Sequence, residues 1–170
     1  MMILEVILIK LVKNIIIILL LMCLCGCNSD VVESEFVDVN NLKYYGYLVI
    51  PKVNMKLGFY NVDNEKNNVG ENVTLIDTGI NNTYLLAAHS GSGPLAYFND
   101  LRYLSVGDKI TLIIDGNIMN YEVVNIRNEI KNGKINIKNE KNQVILTTCN
   151  QVKKGYQLII EGLWQNLEVN

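Results

Sequence analysis

The sequence contains one histidine, His89, and a cysteine, Cys149, and each follows an apolar run typical of a β-strand. His89 comes after "TYLLAA" and opens a loop rich in glycine and serine, and Cys149 comes after "QVILTT" and opens the loop "NQVKKG". An imidazole beside a thiol can take its proton or stabilise the thiolate, which is the nucleophilic form. If the two strands are neighbours that run in the same direction, both side chains meet at one rim of the sheet. This arrangement predicts nucleophilic cysteine catalysis.

Each of these two residues also has an ordinary structural interpretation. A free cysteine is often a small buried core residue, and a lone histidine can pack at the mouth of a barrel with one satisfied hydrogen bond. Metal binding is a weaker use of the pair, because zinc takes three or four ligands, mostly Cys and His, and the spacing of the carboxylates suggests no site. We therefore expect neither a metal nor a cofactor.

The first 27 residues have the composition of an export signal. Lys10 and Lys13 form a basic flank, an apolar run follows from Ile15 to Leu24, and the run ends in "LCGC". That ending resembles the lipobox of bacterial lipoproteins, so residues 1–27 are predicted to be a lipoprotein-type signal with the lipid on Cys27. The alternative is an uncleaved transmembrane anchor, which needs about 20 apolar residues and would have to include both lysines. Either way the rest of the chain is expected on the extracytoplasmic face of the cell membrane, anchored through its N-terminus.

Export makes Cys149 an unusual residue. The chain has four cysteines; signal cleavage would remove Cys23 and Cys25, and lipidation would occupy Cys27. Cys149 would then have no disulfide partner. An odd cysteine in an exported protein is a candidate reactive thiol.

Residues 28–43 are polar and acidic and are predicted to form a tether, so the folded domain is expected over residues 44–170. Short runs rich in Ile, Val, Leu, Tyr and Thr follow one another there, as β-structure prefers. They are "YGYLVI", "KLGFY", "NVTLI", "TYLLAA", "DKITLII", "NIMNYEVVNI", "QVILTT" and "YQLIIEGLW". The dipeptide Asp115-Gly116 predicts a two-residue hairpin, since a type I′ turn needs positive φ at both central positions.

Helical periodicity is scarce, and the best candidate is the short segment "PLAYFNDLRYL" after Gly93. About eight strands with closely spaced turns predict an all-β fold, a small closed β-barrel with one or two short helical turns, because closure removes unpaired edges. The formal net charge of −2 leaves no basic footprint of the kind that nucleic-acid binding needs. A nucleic-acid partner is therefore not expected.

The motifs around these residues resemble those of the sortases, which are bacterial cysteine transpeptidases, over roughly residues 44–164. "GYLVIPKVN" is similar to the opening strand of that family with its Ile-Pro-Lys. "LLAAHSGSGPLAYFNDLRYLSVGDKITL" is similar to the region of the catalytic histidine, and "VILTTC" to the Thr-Leu-x-Thr-Cys signature. In this order and at these separations the three motifs form a specific pattern. The resemblance implies a membrane-tethered cysteine transpeptidase built on a sortase-like barrel.

The resemblance also implies roles for individual residues. Cys149 would be the nucleophile and would attack the Thr–Gly carbonyl of a sorting signal of the Leu-Pro-x-Thr-Gly (LPxTG) type. His89 would protonate the leaving amine and later deprotonate the incoming amine, Thr148 would help to hold the substrate or the oxyanion, and Ser90 is a further candidate for substrate binding. The expected partners are surface-protein or pilin substrates with C-terminal LPxTG-like signals and an amine acceptor on the cell wall or on a pilin.

The third residue of the family pattern differs in this chain. Sortases place an arginine at the start of the strand after the cysteine loop, and the matching residue here is Gln157. Glutamine can donate a hydrogen bond but carries no charge, so it is expected to stabilise an oxyanion less well. The arginines of the chain are Arg102 and Arg127; neither matches the motif, and Arg127 is the candidate substitute. The departure leaves two alternatives open: a catalytically weak or inactive sortase-like lipoprotein that binds peptides, and a surface lipoprotein with no enzymatic role.

Overall fold

The computed structural model describes residues 44–138 and 142–165, which fall within one structural unit, Leu42–Asn170. The predicted signal with Cys27 and the predicted tether at residues 28–43 lie outside the described residues. In the two described ranges there is no helix both long and apolar enough to cross a membrane.

Within these residues the chain forms eight β-strands and two short 3₁₀ helices. The strands are β1 (Gly46–Ile50), β2 (Met55–Tyr60), β3 (Val73–Ile76), β4 (Thr83–Ala87), β5 (Lys109–Ile114), β6 (Asn117–Ile130), β7 (Gln143–Cys149) and β8 (Tyr156–Trp164). The 3₁₀ helices are Pro51–Val53 and Asn99–Tyr103. The strands close into a barrel in the order β1-β2-β3-β4-β7-β8-β6-β5. The prediction of an all-β closed barrel with about eight strands and one or two helical turns is confirmed.

The hairpin between β5 and β6 forms at the predicted dipeptide. Asp115 and Gly116 have φ values of 49° and 76°, and the register pairs Ile114 with Asn117 across the two-residue turn. Both central residues therefore adopt the positive φ that a type I′ turn requires.

Alternation along the strands separates a core-facing row from an outer row, as the pleat of a strand dictates. On β5 the buried residues Ile110, Leu112 and Ile114 point into the barrel core, which β7 and β8 complete with Leu146 and Ile160 among others. The other parity of β4, β7 and β8 faces outwards.

This outer face is nevertheless covered in one region. There, Leu85 of β4, Ile145 of β7 and Ile159 of β8 form a second small apolar cluster under Ile135 and Ile137. The covering residues belong to the loop between β6 and β7, so that loop packs on the outside of the barrel. The side chains that follow this cluster along the same parity lie on the same face.

Candidate active site

The strands that precede His89 and Cys149 are parallel neighbours. β4 pairs with β7 in a register that places Ala87 beside Thr147, and the pairing continues for one more step, since the Ala88 amide donates to the Thr147 carbonyl at 3.3 Å. β4 ends at Ala87, so His89 follows the end of this strand by two residues, as Cys149 follows Thr147 at the end of β7. The condition set from the sequence, that the two strands adjoin and run the same way, is met.

Two hydroxyl groups tie the ends of these strands together. The Thr148 hydroxyl donates to the carbonyl of Ala88 at 2.7 Å, and both groups are buried. The Ser90 hydroxyl donates to the carbonyl of Cys149 at 2.5 Å. Thr148 and Ser90, which with Arg127 are the predicted substrate-binding residues, therefore fix the histidine segment against the cysteine segment through hydrogen bonds to main-chain carbonyls.

The Cys149 thiol lies on the outer face, in the row that contains Ile145, and is partly buried. Its hydrogen-bond donor among the described residues is the Lys131 ammonium, whose Nζ lies 3.1 Å from Sγ. His89 is exposed at the end of β4, and its backbone carbonyl accepts a hydrogen bond from the Phe98 amide at 3.0 Å. A cation thus contacts the thiol, and His89 follows the end of the neighbouring strand β4.

Gln157 stands directly opposite Cys149 in the antiparallel pair of β7 and β8. Its side chain is buried, and its Nε2 donates to the carbonyl of Lys134 at 2.7 Å. The amide group therefore holds the loop between β6 and β7 against β8.

Arg127 lies on the outer face of β6, beside Ile159 of β8. Its guanidinium contacts the carboxylates of Glu129 and Glu161 and donates to the Asn136 carbonyl at 2.6 Å. Burial alone would lower the pKa of the Arg127 guanidinium, but the hydrogen bonds and charges of the two glutamates raise that pKa above its ordinary value. Arg127 is engaged in this ion cluster, and its cationic group is bound on two sides.

A cavity of about 370 Å³ opens beside Cys149. Thr148 and Ser90 line one side, the 3₁₀ helix Asn99–Tyr103 contributes Arg102, and the loop between β7 and β8 contributes Gln151. The Arg102 guanidinium donates to the Gln151 side-chain oxygen at 2.8 Å. The cavity is large enough for a few residues of an extended peptide or for an incoming amine.

Asn99 organises the walls of this cavity. Its side-chain oxygen accepts from the Gly91 amide at 2.7 Å, its Nδ2 donates to the Gly91 carbonyl at 3.0 Å, and its oxygen also accepts from the Gln151 side chain. One amide group therefore joins the histidine loop, the 3₁₀ helix and the loop after the cysteine.

Sequence reasoning did not select Asn99 or Lys131. Asn99 lies in the segment with helical spacing, and that spacing does not indicate that its side chain links two loops. Lys131 is 18 residues before Cys149 in the chain, and no spacing rule connects the two positions.

A model of the sortase domain matches residues 48–162. The chain belongs to the sortase family. A comparison with curated proteins found no match, whereas comparison of structures found several sortases.

The solved structures agree with the family assignment. Sortase A from Corynebacterium diphtheriae, in a lid mutant, has a TM-score of 0.63 and 19% identity, with 75% of this chain and 73% of that chain covered. Sortase C1 from Streptococcus agalactiae has a TM-score of 0.61 and 25% identity, with 77% and 72% covered. Sortase C from Clostridium perfringens has a TM-score of 0.59 and 25% identity, with 74% and 71% covered. The protein is a sortase-like transpeptidase with the eight-stranded barrel that its motifs implied.

Proposed function

We propose that this sortase is a cysteine transpeptidase that cleaves an LPxTG-type sorting signal between Thr and Gly and transfers the threonyl end to an amine. Cys149 is the nucleophile, and His89 is the general acid and base. The observation that supports the proposal is the in-register parallel pair of β4 and β7, because Cys149 ends β7 beside the cavity and His89 follows the end of β4.

The proposed reaction has two halves. In the first, the Cys149 thiolate attacks the threonyl carbonyl, a C–S bond forms, and the C–N bond to glycine breaks as the protonated His89 gives its proton to the leaving amine. In the second, neutral His89 takes a proton from the incoming amine as that amine attacks the thioester. A new C–N bond then forms, the C–S bond breaks, and Cys149 returns as a thiolate.

The groups around the cavity suit a peptide substrate. Thr148 and Ser90 fix the two strand ends through their hydroxyl groups, and this rigidity supports a fixed distance between nucleophile and base. Thr148 and Ser90 also line the cavity, so we assign them to substrate binding as well. The substrates we propose are surface proteins or pilins with C-terminal signals, and the acceptor is an amine of the cell wall or of a pilin.

Intact-mass spectrometry tests this function. The full chain, purified in a mild detergent, is incubated with LPxTG-like peptides in the absence of an added amine. We expect a mass increase equal to the peptide cut after threonine, with no increase in Cys149→Ala and a much slower increase in His89→Ala. Absence of any adduct, together with alkylation of Cys149 only after unfolding, would refute the proposed chemistry.

One observation favours the alternative of a peptide-binding domain with weak or no catalysis. The residue opposite the cysteine is Gln157, and its side-chain amide is committed to the Lys134 carbonyl at 2.7 Å. In that case the same peptides would bind without forming an adduct, and binding to Cys149→Ala would be as tight as binding to the native chain.

We also propose that the enzyme is anchored to the membrane through a lipid on Cys27, with the catalytic domain on the extracytoplasmic face. The same mass spectrum tests this proposal, because the mature chain would begin at Cys27 and carry the mass of its lipid. A chain that retains residues 1–26 and is found in the membrane fraction would instead indicate a transmembrane anchor.

A further inference from the structure

We infer that Lys131 is a catalytic residue of this sortase and supplies the positive charge that Gln157 lacks. The inference rests on the proposed function and adds to it a residue of the β6–β7 loop. Its basis is the contact of 3.1 Å between the Lys131 ammonium and the Cys149 sulfur.

The two arginines also lie close to the site, but their guanidinium groups have partners other than the thiol. Arg127 is bound by Glu129 and Glu161, and Arg102 donates to Gln151 and to the Tyr103 hydroxyl. Among the residues that the structure describes, the ammonium of Lys131 has no carboxylate partner within salt-bridge distance. In the described ranges, therefore, no carboxylate at salt-bridge distance offsets the charge that Lys131 places beside the sulfur.

The loop that carries Lys131 is held in place from several sides. The Lys131 amide donates to the Gly155 carbonyl at 2.8 Å, which extends the pairing of β6 with β8 by one step. Further along the loop, Gln157 binds the Lys134 carbonyl and Arg127 binds the Asn136 carbonyl. The backbone of Lys131 thus has a fixed position beside the start of β8.

In the family pattern one arginine supplies the positive charge from the strand after the cysteine loop. Here two residues share that role, Gln157 and Lys131. Gln157 faces Cys149 across the strand pair but uses its amide to anchor the loop. Lys131 extends from that anchored loop and delivers the charge to the sulfur. The glutamine is therefore a positioning residue, and the lysine contacts the reacting atom.

The ammonium can act at two stages of the reaction. Before attack, it stabilises the thiolate of Cys149 through a charge-assisted hydrogen bond. During attack, negative charge moves from the sulfur to the carbonyl oxygen, and the four-carbon stem of lysine lets its donors follow that charge. A preorganised donor at an oxyanion is typically worth about 10²- to 10³-fold in rate. We expect Lys131 to increase the rate of acylation by on the order of ten- to a hundredfold, below the usual range because its side chain is exposed to solvent.

The test compares Lys131→Met with Lys131→Arg and with a matched control, Lys134→Met, which removes an exposed lysine three positions away on the same loop. Alkylation is followed at Cys149 by peptide mass spectrometry, so that only the rate at this residue is measured. The reagents are neutral iodoacetamide and anionic iodoacetate. A cation beside the sulfur favours the anionic reagent, so the ratio of the two rates reports the local charge whether or not the enzyme turns over peptide.

We expect Lys131→Met to lower the iodoacetate-to-iodoacetamide ratio several-fold and to slow acyl-enzyme formation, while Lys131→Arg and Lys134→Met stay close to the native chain. Adding Gln157→Arg to Lys131→Met should restore part of the ratio. The inference is overturned if Lys131→Met matches Lys134→Met in both the ratio and the acylation rate. If the native chain forms no acyl enzyme but the ratio still depends on Lys131, the contact with the thiol stands and the proposed function fails.

Discussion

Replacing Arg127 with leucine should destabilise the fold, because it strands a buried carboxylate. Glu161 is 5% exposed, and its two oxygens are bound by the Arg127 guanidinium and by the Asn125 amide, the latter at 2.7 Å. Removing one partner of a buried ion pair typically costs about 3–5 kcal/mol. We expect about 3 kcal/mol, at the lower end of that range, because the Arg127 side chain is 23% exposed and Asn125 remains as a donor.

The assay is urea unfolding of the native chain and of Arg127→Leu, with thermal unfolding as a second measurement. A loss of about 3 kcal/mol corresponds to a decrease in Tm of roughly 10 °C for a domain of this size. Glu129→Gln is the matched control, because it removes the other carboxylate that contacts Arg127. That pair is partly exposed on both sides, with side-chain exposures of 23% and 24%, so the control should cost about 1 kcal/mol or less.

A double variant decides whether the ion pair is the cause. In Arg127→Leu/Glu161→Leu no buried charge is left without a partner, so most of the stability should return. Strictly additive losses, or a cost below about 1 kcal/mol for Arg127→Leu, would refute the buried ion pair.

The single variant Arg127→Leu also tests whether Arg127 has a catalytic role in addition to its structural one. If folded Arg127→Leu forms no acyl enzyme while Lys131→Met does, Arg127 rather than Lys131 is the cation of the reaction.

Three further changes probe the strand ends and the barrel interior. Thr148→Val removes the hydroxyl that donates to the buried carbonyl of Ala88 and should cost about 1–3 kcal/mol, measured by urea unfolding, with slower acylation because the strand ends loosen. Burial, and to a smaller extent the neighbouring Tyr84, raise the pKa of the Tyr121 phenol above its ordinary value. The stability that the neutral phenol contributes is therefore complete below about pH 10 and falls as the pH rises further. Urea unfolding at pH 9 and 11 should show a smaller loss of stability between the two pH values in Tyr121→Phe than in the native chain. Gly46→Ala would place a Cβ 2.6 Å from the Phe59 ring and 2.8 Å from a backbone oxygen, so it should lower stability by about 1–3 kcal/mol, and an unchanged Tm would contradict that steric clash.

The strands were predictable because each is a short run of β-forming residues bounded by turn-forming residues. Eight runs of β-branched and aromatic residues became eight strands, and the Asp115-Gly116 dipeptide formed the hairpin turn that its positive φ values allow. The sequence required β4 and β7 to be parallel neighbours if His89 and Cys149 were to act together, and the two strands are parallel neighbours. These features depend on local composition and on closure of one sheet.

The exact bounds of the short helical turn could not be predicted from its spacing, because they depend on tertiary contacts. The run that begins at Pro94 has helical spacing, yet the regular part is a 3₁₀ helix over Asn99–Tyr103. The Phe98 amide donates to the His89 carbonyl and the Asn99 side chain binds Gly91, so the start of the segment is tied to the histidine loop. Those contacts satisfy polar groups that a longer helix would have paired internally.

The contact of Lys131 with Cys149 could not be predicted because it depends on a loop held by distant residues. Gln157 and Arg127 anchor that loop by donating to its backbone carbonyls. Because every residue type has such a carbonyl, the sequence of the loop does not indicate these contacts. The sequence indicated only the missing arginine and gave no signal for the residue that supplies its charge.

The proposed cation of this site, Lys131, lies on a loop and not on a strand. An arginine on β8 would be fixed by the strand itself, since strand pairing orients its side chain toward the cysteine row. The lysine here extends from a loop, so its contact with the sulfur depends on the hydrogen bonds and the apolar contacts that hold the loop to the barrel. Ile135 and Ile137 on Ile145 provide the apolar part. Weakening that packing would therefore lower thiol reactivity while leaving the core of the barrel intact, which ties the chemistry of this sortase to the order of its β6–β7 loop.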